Sequence, residues 1–283
     1  MRRQKSHAAQ HGRSDWLPAT NKMSFISLQQ HRIEYIRLAS AQPRATAKPI
    51  VFLHEGLGSV ALWRDFPQRI ADATGCEAIV YSRYGYGKSD RLREDRPVRF
   101  LHDEALQALP ALLDQLNIHQ PLLLGHSDGG SIALIHAGSG LRPVSGVIVL
   151  APHVMVEEYG LASIRQAREN YLTTNLKQKL ARYHDDVDSA FWGWNNIWLH
   201  PDFRAWNIEA YLPQILCPVL AIQGEGDEYG TLEQIDRIAD KAPNVELLKL
   251  PDCGHSPHRD QPEAVIQATV RFVNRLAGSN GSL

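Results

Sequence analysis

The 283-residue sequence has few cysteines, no long apolar run and no excess of charge of either sign. Cys76, Cys217 and Cys253 are too few and too scattered for a disulfide framework, which favours a reducing compartment such as the cytoplasm. No apolar run approaches the roughly 20 residues of a membrane-spanning helix. Thirty Lys and Arg residues against thirty-one Asp and Glu residues lack the basic excess of nucleic-acid binders. We therefore expect neither a nucleic-acid partner nor a membrane partner.

Metal-ligand patterns are also missing. The sequence has thirteen histidines, but no cluster of Cys and His and no helical i,i+4 pair of histidines beside a carboxylate. We therefore expect no metal site.

The first residues differ in charge from the rest of the chain. Residues 1–15 contain four basic side chains against Asp15, but they lack the apolar segment of a secretory signal. We expect residues 1–22 to form a disordered extension, or Met23 to be the natural start. The alternative is a transit-like or DNA-seeking arm.

Apolar segments of strand length alternate with helical segments along most of the chain. Strands are predicted at residues 25–28, 33–38, 50–53, 78–81, 121–124, 147–150, 218–222 and 245–250. Helices are predicted at 61–73, 101–117, 129–138, 231–240 and 263–276, and residues 153–212 are mostly helical in pattern. This alternation predicts an α/β fold with a mostly parallel sheet covered on both faces. Reactive residues then belong at the carboxyl ends of the strands.

The strongest local pattern is the G-x-S-x-G segment 125–129, which lies between a predicted strand and a predicted helix. Ser127 would occupy the apex of a tight turn, where glycines are needed on both sides because side chains have no room. The N–H groups at the start of the following helix would face developing negative charge. Ser127 is thus the predicted nucleophile; the alternative is a glycine-rich turn with a bystander serine.

A serine nucleophile needs a base and an acid, which follow it in this class of motif in the order Asp or Glu, then His. His255 lies just after the last strand and is the predicted base, whereas His258 is predicted to be solvated or to support the site. The loop after the preceding strand offers three carboxylates. Asp227 is the predicted acid, because it lies far enough along the loop to reach the base, and Glu225 and Glu228 are the alternatives.

The loop 54–59, after the third strand, is rich in glycine. Acyl transfer places negative charge on a carbonyl oxygen, which two preoriented backbone N–H groups stabilise. The predicted donors are the N–H of Asp128 and that of Gly56, with Leu57 close behind. The alternative is a flexible glycine loop without a role in catalysis.

Five motifs in this order resemble the α/β-hydrolase superfamily, over about residues 25 to 276. They are HEGLGS at 54–59, SRYGYGKSD at 82–90, GHSDGG at 125–130, the acid loop at 223–229 and DCGH at 252–255. The resemblance implies an α/β-hydrolase fold with a mostly parallel eight-stranded sheet, helices on both faces and a Ser–Asp–His triad without a cofactor. It also implies a core of residues 23–152 and 213–279 that carries a helical cap at 153–212.

Two features distinguish this sequence within the superfamily. Glu55 follows His54 where the family commonly has His-Gly, and it is expected to shape the loop or to contact the substrate. The nucleophile is serine, which argues against the dehalogenase and epoxide hydrolase branches, where an aspartate forms the ester.

The resemblance implies a small-molecule hydrolase acting on small or medium ester-like substrates through an acyl-enzyme, as a monomer or homodimer. The alternatives are a carbon–carbon bond hydrolase of aromatic-degradation products, a cofactor-free haloperoxidase or perhydrolase, and a non-catalytic ligand-binding member. Ser256 and Pro257 after the base argue against the carbon–carbon hydrolases, which tend to have an aromatic residue there. The residues expected to line the site are His54, Glu55, Leu57, His126, Trp194 and Trp198.

Overall fold

The computed structural model describes residues 23–279, so the predicted extension 1–22 lies outside the described residues. Eight strands form a single sheet in the order β1-β2-β4-β3-β5-β6-β7-β8. They are β1 Ser24–Leu28, β2 His31–Leu38, β3 Ile50–Leu53, β4 Ala78–Tyr81, β5 Leu122–His126, β6 Gly146–Leu150, β7 Val219–Gly224 and β8 Val245–Leu250. β2 pairs antiparallel with β1 and β4, and all other pairings are parallel. The prediction of a mostly parallel eight-stranded sheet is confirmed.

The central strands are apolar at nearly every position because both faces of the sheet are covered. In β3, Val51 and Leu53 join the hydrophobic core on one face, while Ile50 and Phe52 join the core on the other. All four side chains are fully buried. A strand buried on both faces has a continuous apolar run rather than an alternating pattern.

The sheet is flanked by helices. They are α1 Phe66–Thr74, α2 Phe100–Asp103, α3 Leu109–Gln115, α4 Asp128–Ser139, α5 Glu158–Thr173, α6 Leu176–Leu180, α7 Val187–Trp198, α8 Glu233–Lys241, α9 Pro257–Asp260 and α10 Pro262–Ser279. The structure also has 3₁₀ turns at Ala61–Trp63, Pro201–Ala205 and Glu209–Gln214, and a π-helical turn at Glu104–Ala108. Within residues 23–279, no helix is long and apolar enough to cross a membrane.

Two helices predicted as continuous are interrupted, so these predictions were wrong in detail. The segment 61–73 breaks at Arg64, which has φ 53°, and Pro67 falls in the first turn of α1, where its missing N–H costs nothing. The segment 101–117 contains the π-helical turn, in which the N–H of Leu109 bonds the carbonyl of Glu104. Pro110 follows directly and has no N–H to continue the regular pattern.

Helices α5 to α7 occupy the chain between β6 and β7. They are joined to one another, because the side chain of Asn195 in α7 donates to the carbonyl of Ile164 in α5 at 2.9 Å. They are also joined to the loop after β7, where Tyr159 donates its hydroxyl to the carbonyl of Asp227 at 3.1 Å. This helical layer therefore lies against the carboxyl edge of the sheet.

Candidate active site

Ser127 lies at the tight turn between β5 and α4, with φ 52° and ψ −118°. A Cβ on Gly125 would lie 2.2 Å from the carbonyl oxygen of Gly129, and a Cβ on Gly129 would lie 2.0 Å from that of Leu53. Both positions therefore require glycine, which explains the spacing of the motif. The close approach to Leu53 also places the carboxyl end of β3 directly against this turn.

The imidazole of His255 connects Ser127 to Asp227. Its Nε2 lies 3.0 Å from Ser127 Oγ, and its Nδ1 lies 2.7 Å from Asp227 Oδ1. An ionised carboxylate only accepts hydrogen bonds, so the proton is assigned to Nδ1 and the lone pair of Nε2 faces the serine. The structure thus brings together the three residues predicted as nucleophile, base and acid.

Asp227 is held as a buried carboxylate in the loop after β7. Its Oδ1 also accepts the backbone N–H of Tyr229 at 2.8 Å, and its Oδ2 accepts the Gln223 amide at 3.0 Å. Burial raises the pKa of Asp227, but the hydrogen bonds from His255 and Tyr229 outweigh burial and lower it below its ordinary value. The carboxylate is therefore ionised at neutral pH.

The two alternative acids lie elsewhere in the same loop. Glu225 is exposed, and Glu228 accepts the backbone N–H of His255 at 3.1 Å rather than contacting its ring. Of the three carboxylates, Asp227 is the one that bonds the imidazole.

The loop after β3 carries the other predicted N–H donor. Gly56 lies against Trp194 so closely that a Cβ on it would be 2.2 Å from the indole ring. Leu57 accepts the ring N–H of His184 through its carbonyl at 2.9 Å. Within residues 23–279, the N–H groups of Gly56 and Asp128 donate to no protein acceptor. Both remain available for a ligand.

The side chain of Glu55, which belongs to this loop, lies between His126 and Arg259. Its Oε2 is 3.4 Å from Nδ1 of His126, and its Oε1 is 3.4 Å from a guanidinium nitrogen of Arg259. Burial raises the pKa of Glu55, but these neighbours outweigh it and bring the pKa well below its usual value. His126 in turn donates from Nε2 to the carbonyl of His255 at 2.7 Å. Glu55 and His126 thus connect the loop after β3 to the loop of the predicted base.

The side chain of Asp128 points into the protein. Its Oδ1 accepts the indole N–H of Trp198 at 3.1 Å, and its Oδ2 lies 3.7 Å from the guanidinium of Arg83. Burial raises the pKa of Asp128, against the opposing effect of Arg83. His54 is buried beside this pair and accepts the backbone N–H of Arg83 on Nε2 at 3.0 Å.

Two residues at the site were missed at the sequence level, namely Arg83 and His153. The ring of His153 lies 5.8 Å from that of His255 and 5.0 Å from that of Trp198, centroid to centroid. Burial, with the charge of His255, lowers the pKa of His153 to about 3. Both missed residues closely follow the carboxyl end of a parallel strand, a position that could have identified them.

The other histidines near the site have structural contacts. His258 is buried against the rings of Trp63 and Phe66, at 4.9 and 5.4 Å between centroids. His136 is buried in α4 and contacts the carbonyl of Ala105 through Nδ1 at 2.8 Å. Among residues 23–279, no group of three His, Cys, Asp or Glu side chains is arranged to hold a metal ion.

Known hydrolases resemble this chain over most of its length. An sn-1-specific diacylglycerol lipase of Danio rerio is 23% identical over 264 residues, which cover 81% of this chain and 80% of the lipase. A 2-hydroxy-6-oxo-6-phenylhexa-2,4-dienoate hydrolase of Burkholderia cepacia is 21% identical and covers 91% of this chain and 98% of its own. The crystal structure of proline iminopeptidase from Mycobacterium smegmatis has a TM-score of 0.74 at 18% identity, covering 92% of this chain and 100% of the peptidase.

The sequence model of the α/β hydrolase family matches residues 50–268. This match includes the loop after β3, the turn of Ser127 and both loops that carry Asp227 and His255. The assignment made from the sequence motifs is confirmed: the chain belongs to the α/β hydrolase family and is a hydrolase.

Proposed function

We propose that this protein is a serine hydrolase that cleaves small or medium ester-like substrates through an acyl-enzyme. Ser127 is the nucleophile, His255 the general base and Asp227 the acid that orients it. One observation carries the proposal: the imidazole of His255 donates from Nδ1 to Asp227 Oδ1 at 2.7 Å and accepts the hydroxyl of Ser127 on Nε2 at 3.0 Å. The distance from Nε2 to Oγ allows direct proton transfer, and the distance from Nδ1 to Asp227 lets the carboxylate hold the ring.

Acylation begins when Ser127 Oγ attacks the carbonyl carbon and His255 Nε2 takes its proton. The imidazolium that results is stabilised by the Asp227 carboxylate, which also keeps the ring in the productive tautomer. Negative charge develops on the carbonyl oxygen, where the free N–H groups of Gly56 and Asp128 act as donors. Each such donor contributes about 3–4 kcal/mol of transition-state stabilisation.

The tetrahedral intermediate then collapses and the leaving group departs with a proton from His255 Nε2. A water molecule takes the place of the leaving group, and His255 removes its proton as the water attacks the acyl carbon. Collapse of the second intermediate releases the acid and returns the proton to Ser127. No cofactor is needed for any step, because the triad and the backbone donors supply every proton transfer and charge contact.

The proposal includes a division of the molecule. Residues 23–152 and 213–279 form the hydrolase core, and residues 153–212 form a cap over the site. The contacts of the helical layer with the loop of Asp227, through Tyr159, support this division. The free thiols of Cys76, Cys217 and Cys253 fit a reducing cytoplasm, and we propose a monomer or homodimer there.

A carbon–carbon bond hydrolase is the second candidate. It is supported by the relative from Burkholderia cepacia, which is named as a 2-hydroxy-6-oxo-6-phenylhexa-2,4-dienoate hydrolase and is matched over 98% of its length. Ser256 and Pro257 after His255 argue against it. Both candidate functions use the same triad, so only the class of substrate that is turned over can distinguish them.

The experiment compares turnover of p-nitrophenyl acetate and butyrate by the wild type, Ser127→Ala and Ser145→Ala. We expect Ser127→Ala to lose at least ~10³-fold in kcat/KM, as removal of a nucleophile does, and to lose labelling by a fluorophosphonate. Ser145 donates to the carbonyl of Gln120 at the opposite edge of the sheet, so Ser145→Ala should match the wild type. Labelling of Ser127 without ester turnover would favour the carbon–carbon hydrolase. If the wild type neither turns over the esters nor is labelled by the fluorophosphonate, a binding role would be favoured.

A further inference from the structure

The carbonyl oxygen of Glu55 accepts three hydrogen bonds. The Arg83 guanidinium donates from Nη2 at 3.0 Å, and the N–H of Gly58 donates at 3.0 Å. The third donor is Nδ1 of His54, at 2.6 Å. Since the other ring nitrogen of His54 accepts the backbone N–H of Arg83, the proton is assigned to Nδ1.

This carbonyl belongs to the same peptide unit as the N–H of Gly56. The peptide is planar and trans, so its C=O and N–H point in opposite directions. The three donors therefore fix the N–H of Gly56 so that it points away from Arg83 and His54. That N–H donates to no acceptor within residues 23–279.

The same guanidinium nitrogen of Arg83 also approaches the residue that supplies the second proposed donor. Nη2 lies 3.7 Å from Oδ2 of Asp128, and both side chains are 1% exposed. One cationic group thus contacts the peptide of Gly56 on one side and the side chain of Asp128 on the other. Among residues 23–279, Nε and Nη1 of Arg83 have no hydrogen-bond partner. The hydrogen bond to the Glu55 carbonyl and the ion pair with Asp128 are therefore both made by Nη2.

We propose that Arg83, together with His54, is a positioning group that holds the N–H donors of Gly56 and Asp128 in place around the carbonyl oxygen of the substrate. This inference rests on the proposed serine-hydrolase function. Arg83 touches no reacting atom: it acts through the Glu55 carbonyl and the Asp128 carboxylate. A charged donor on the Glu55 carbonyl also polarises that peptide, which strengthens the hydrogen bond that the N–H of Gly56 can give.

The test compares Arg83→Lys with a matched variant, Arg96→Lys. Arg96 is likewise buried and paired with a buried acid, with Nη1 3.8 Å from Glu104. Its Nη2 donates to the carbonyl of Tyr84 at 2.8 Å, outside the loop after β3. Both variants keep the charge, but the lysine ammonium ends one bond short of the position of the Nη nitrogens, so the contacts of those nitrogens are lengthened or lost. Loss of a general structural contribution should therefore be similar in the two variants.

We expect Arg83→Lys to lower kcat for p-nitrophenyl acetate by about 30- to 300-fold, with KM within about 3-fold of the wild type. The inhibition constant of a boronic acid, which mimics the tetrahedral intermediate, should rise by about the same factor as kcat/KM falls. Arg96→Lys should keep kcat within about 3-fold at a comparable melting temperature. The inference is overturned if Arg83→Lys keeps kcat, if it changes KM alone, or if Arg96→Lys loses as much.

A second pair of variants covers the case in which Arg83→Lys does not fold. His54→Asn retains an amide N–H near the Nδ1 position, whereas His54→Gln places its amide near Nε2 and removes that donor. We expect His54→Gln to lose at least about 10-fold more kcat than His54→Asn, and equal kcat values would overturn the inference. If the wild type itself neither turns over esters nor labels at Ser127, the proposed function fails first. An active wild type with unaffected Arg83 and His54 variants refutes this inference alone.

Discussion

The indole N–H of Trp198 donates a 3.1 Å hydrogen bond to the carboxylate of Asp128, the residue that follows Ser127. Trp194, four residues earlier on the same face of α7, packs against Gly56. One helix between β6 and β7 therefore contacts both residues whose N–H groups are the proposed oxyanion donors. The geometry of those donors therefore depends on the position of α7.

Removal of the indole donor should weaken this junction. We expect Trp198→Phe to lower the free energy of unfolding by about 2–3 kcal/mol, because the buried Asp128 carboxylate loses a hydrogen bond and the smaller ring leaves a gap. Urea denaturation of the wild type and the variant measures this difference.

Trp206→Phe is the matched control for that prediction. Trp206 is buried in the same cluster, 6.0 Å from Trp198 between ring centroids, and its Nε1 has no partner among the described residues. Its replacement removes a similar volume but no hydrogen bond. A loss of stability as large as that of Trp198→Phe would mean that packing, and not the contact with Asp128, sets the effect.

Replacement of Asp227 by Asn tests the assignment of the acid. We expect kcat/KM to fall by roughly 10³–10⁴-fold, because the amide no longer holds His255 in the tautomer whose Nε2 lone pair faces Ser127. Ester turnover at saturating and subsaturating substrate measures the change.

The other carboxylates of the same loop provide the comparison. Glu225→Gln and Glu228→Gln should stay within about 10-fold of the wild type, since neither side chain bonds the imidazole ring. If Glu228→Gln lost as much kcat/KM as Asp227→Asn, the acid of the triad would have to be assigned to Glu228 instead.

The buried imidazole of His258 should make the protein less stable in mild acid. Burial, with the charge of His126, lowers the pKa of His258 well below its ordinary value, so the folded protein keeps this ring neutral. The unfolded chain binds a proton there below about pH 6.5, and the free energy of unfolding then falls by up to about 1.4 kcal/mol per pH unit. Full stability is thus present above that pH and lost as the pH decreases.

His258→Phe should remove that contribution, since the ring lies among Trp63 and Phe66 and phenylalanine suits this environment. We expect the difference in unfolding free energy between about pH 6.5 and pH 5.5 to be smaller in the variant by about 1 kcal/mol. Urea denaturation at both pH values measures it. Parallel pH dependence of the two proteins would show that the ring is protonated in the folded state.

His153 should not contribute to the pH dependence of catalysis. With a pKa of about 3, its ring is neutral throughout the range in which the enzyme is assayed. We expect His153→Phe to leave the midpoint of the kcat/KM profile between about pH 5 and pH 9 unchanged, whatever its effect on the rate. A displaced midpoint would mean that His153 carries charge beside His255.

Much of the fold could be predicted from the pattern of residues along the chain. β3, β4 and β8 begin and end at the predicted residues. For β3 and β4 the reason is that a strand buried on both faces has to be apolar throughout. The interruptions of the helices predicted at 61–73 and 101–117 could not be predicted from the sequence. Periodicity shows which face of a helix is apolar, but not that the chain reverses at Arg64 or widens into a π-helical turn before Pro110.

The candidate site divides in the same way. Ser127, His255 and the glycines around the turn could be identified from the sequence, because steric limits and the order of the motifs restrict what occupies those positions. Asp227 could be preferred over Glu225 and Glu228 only through an argument about reach, and the structure brings it to the ring at 2.7 Å.

The sequence alone determined the sheet, the position of each loop at its carboxyl edge and the residue types needed for acyl transfer, because these depend on local sterics and on the alternation of strands and helices. Only the tertiary structure decided that Arg83 contacts both the Glu55 carbonyl and Asp128, and that His153 faces His255. These contacts join residues far apart in the chain and depend on how strands and helices pack in three dimensions, which no local pattern encodes.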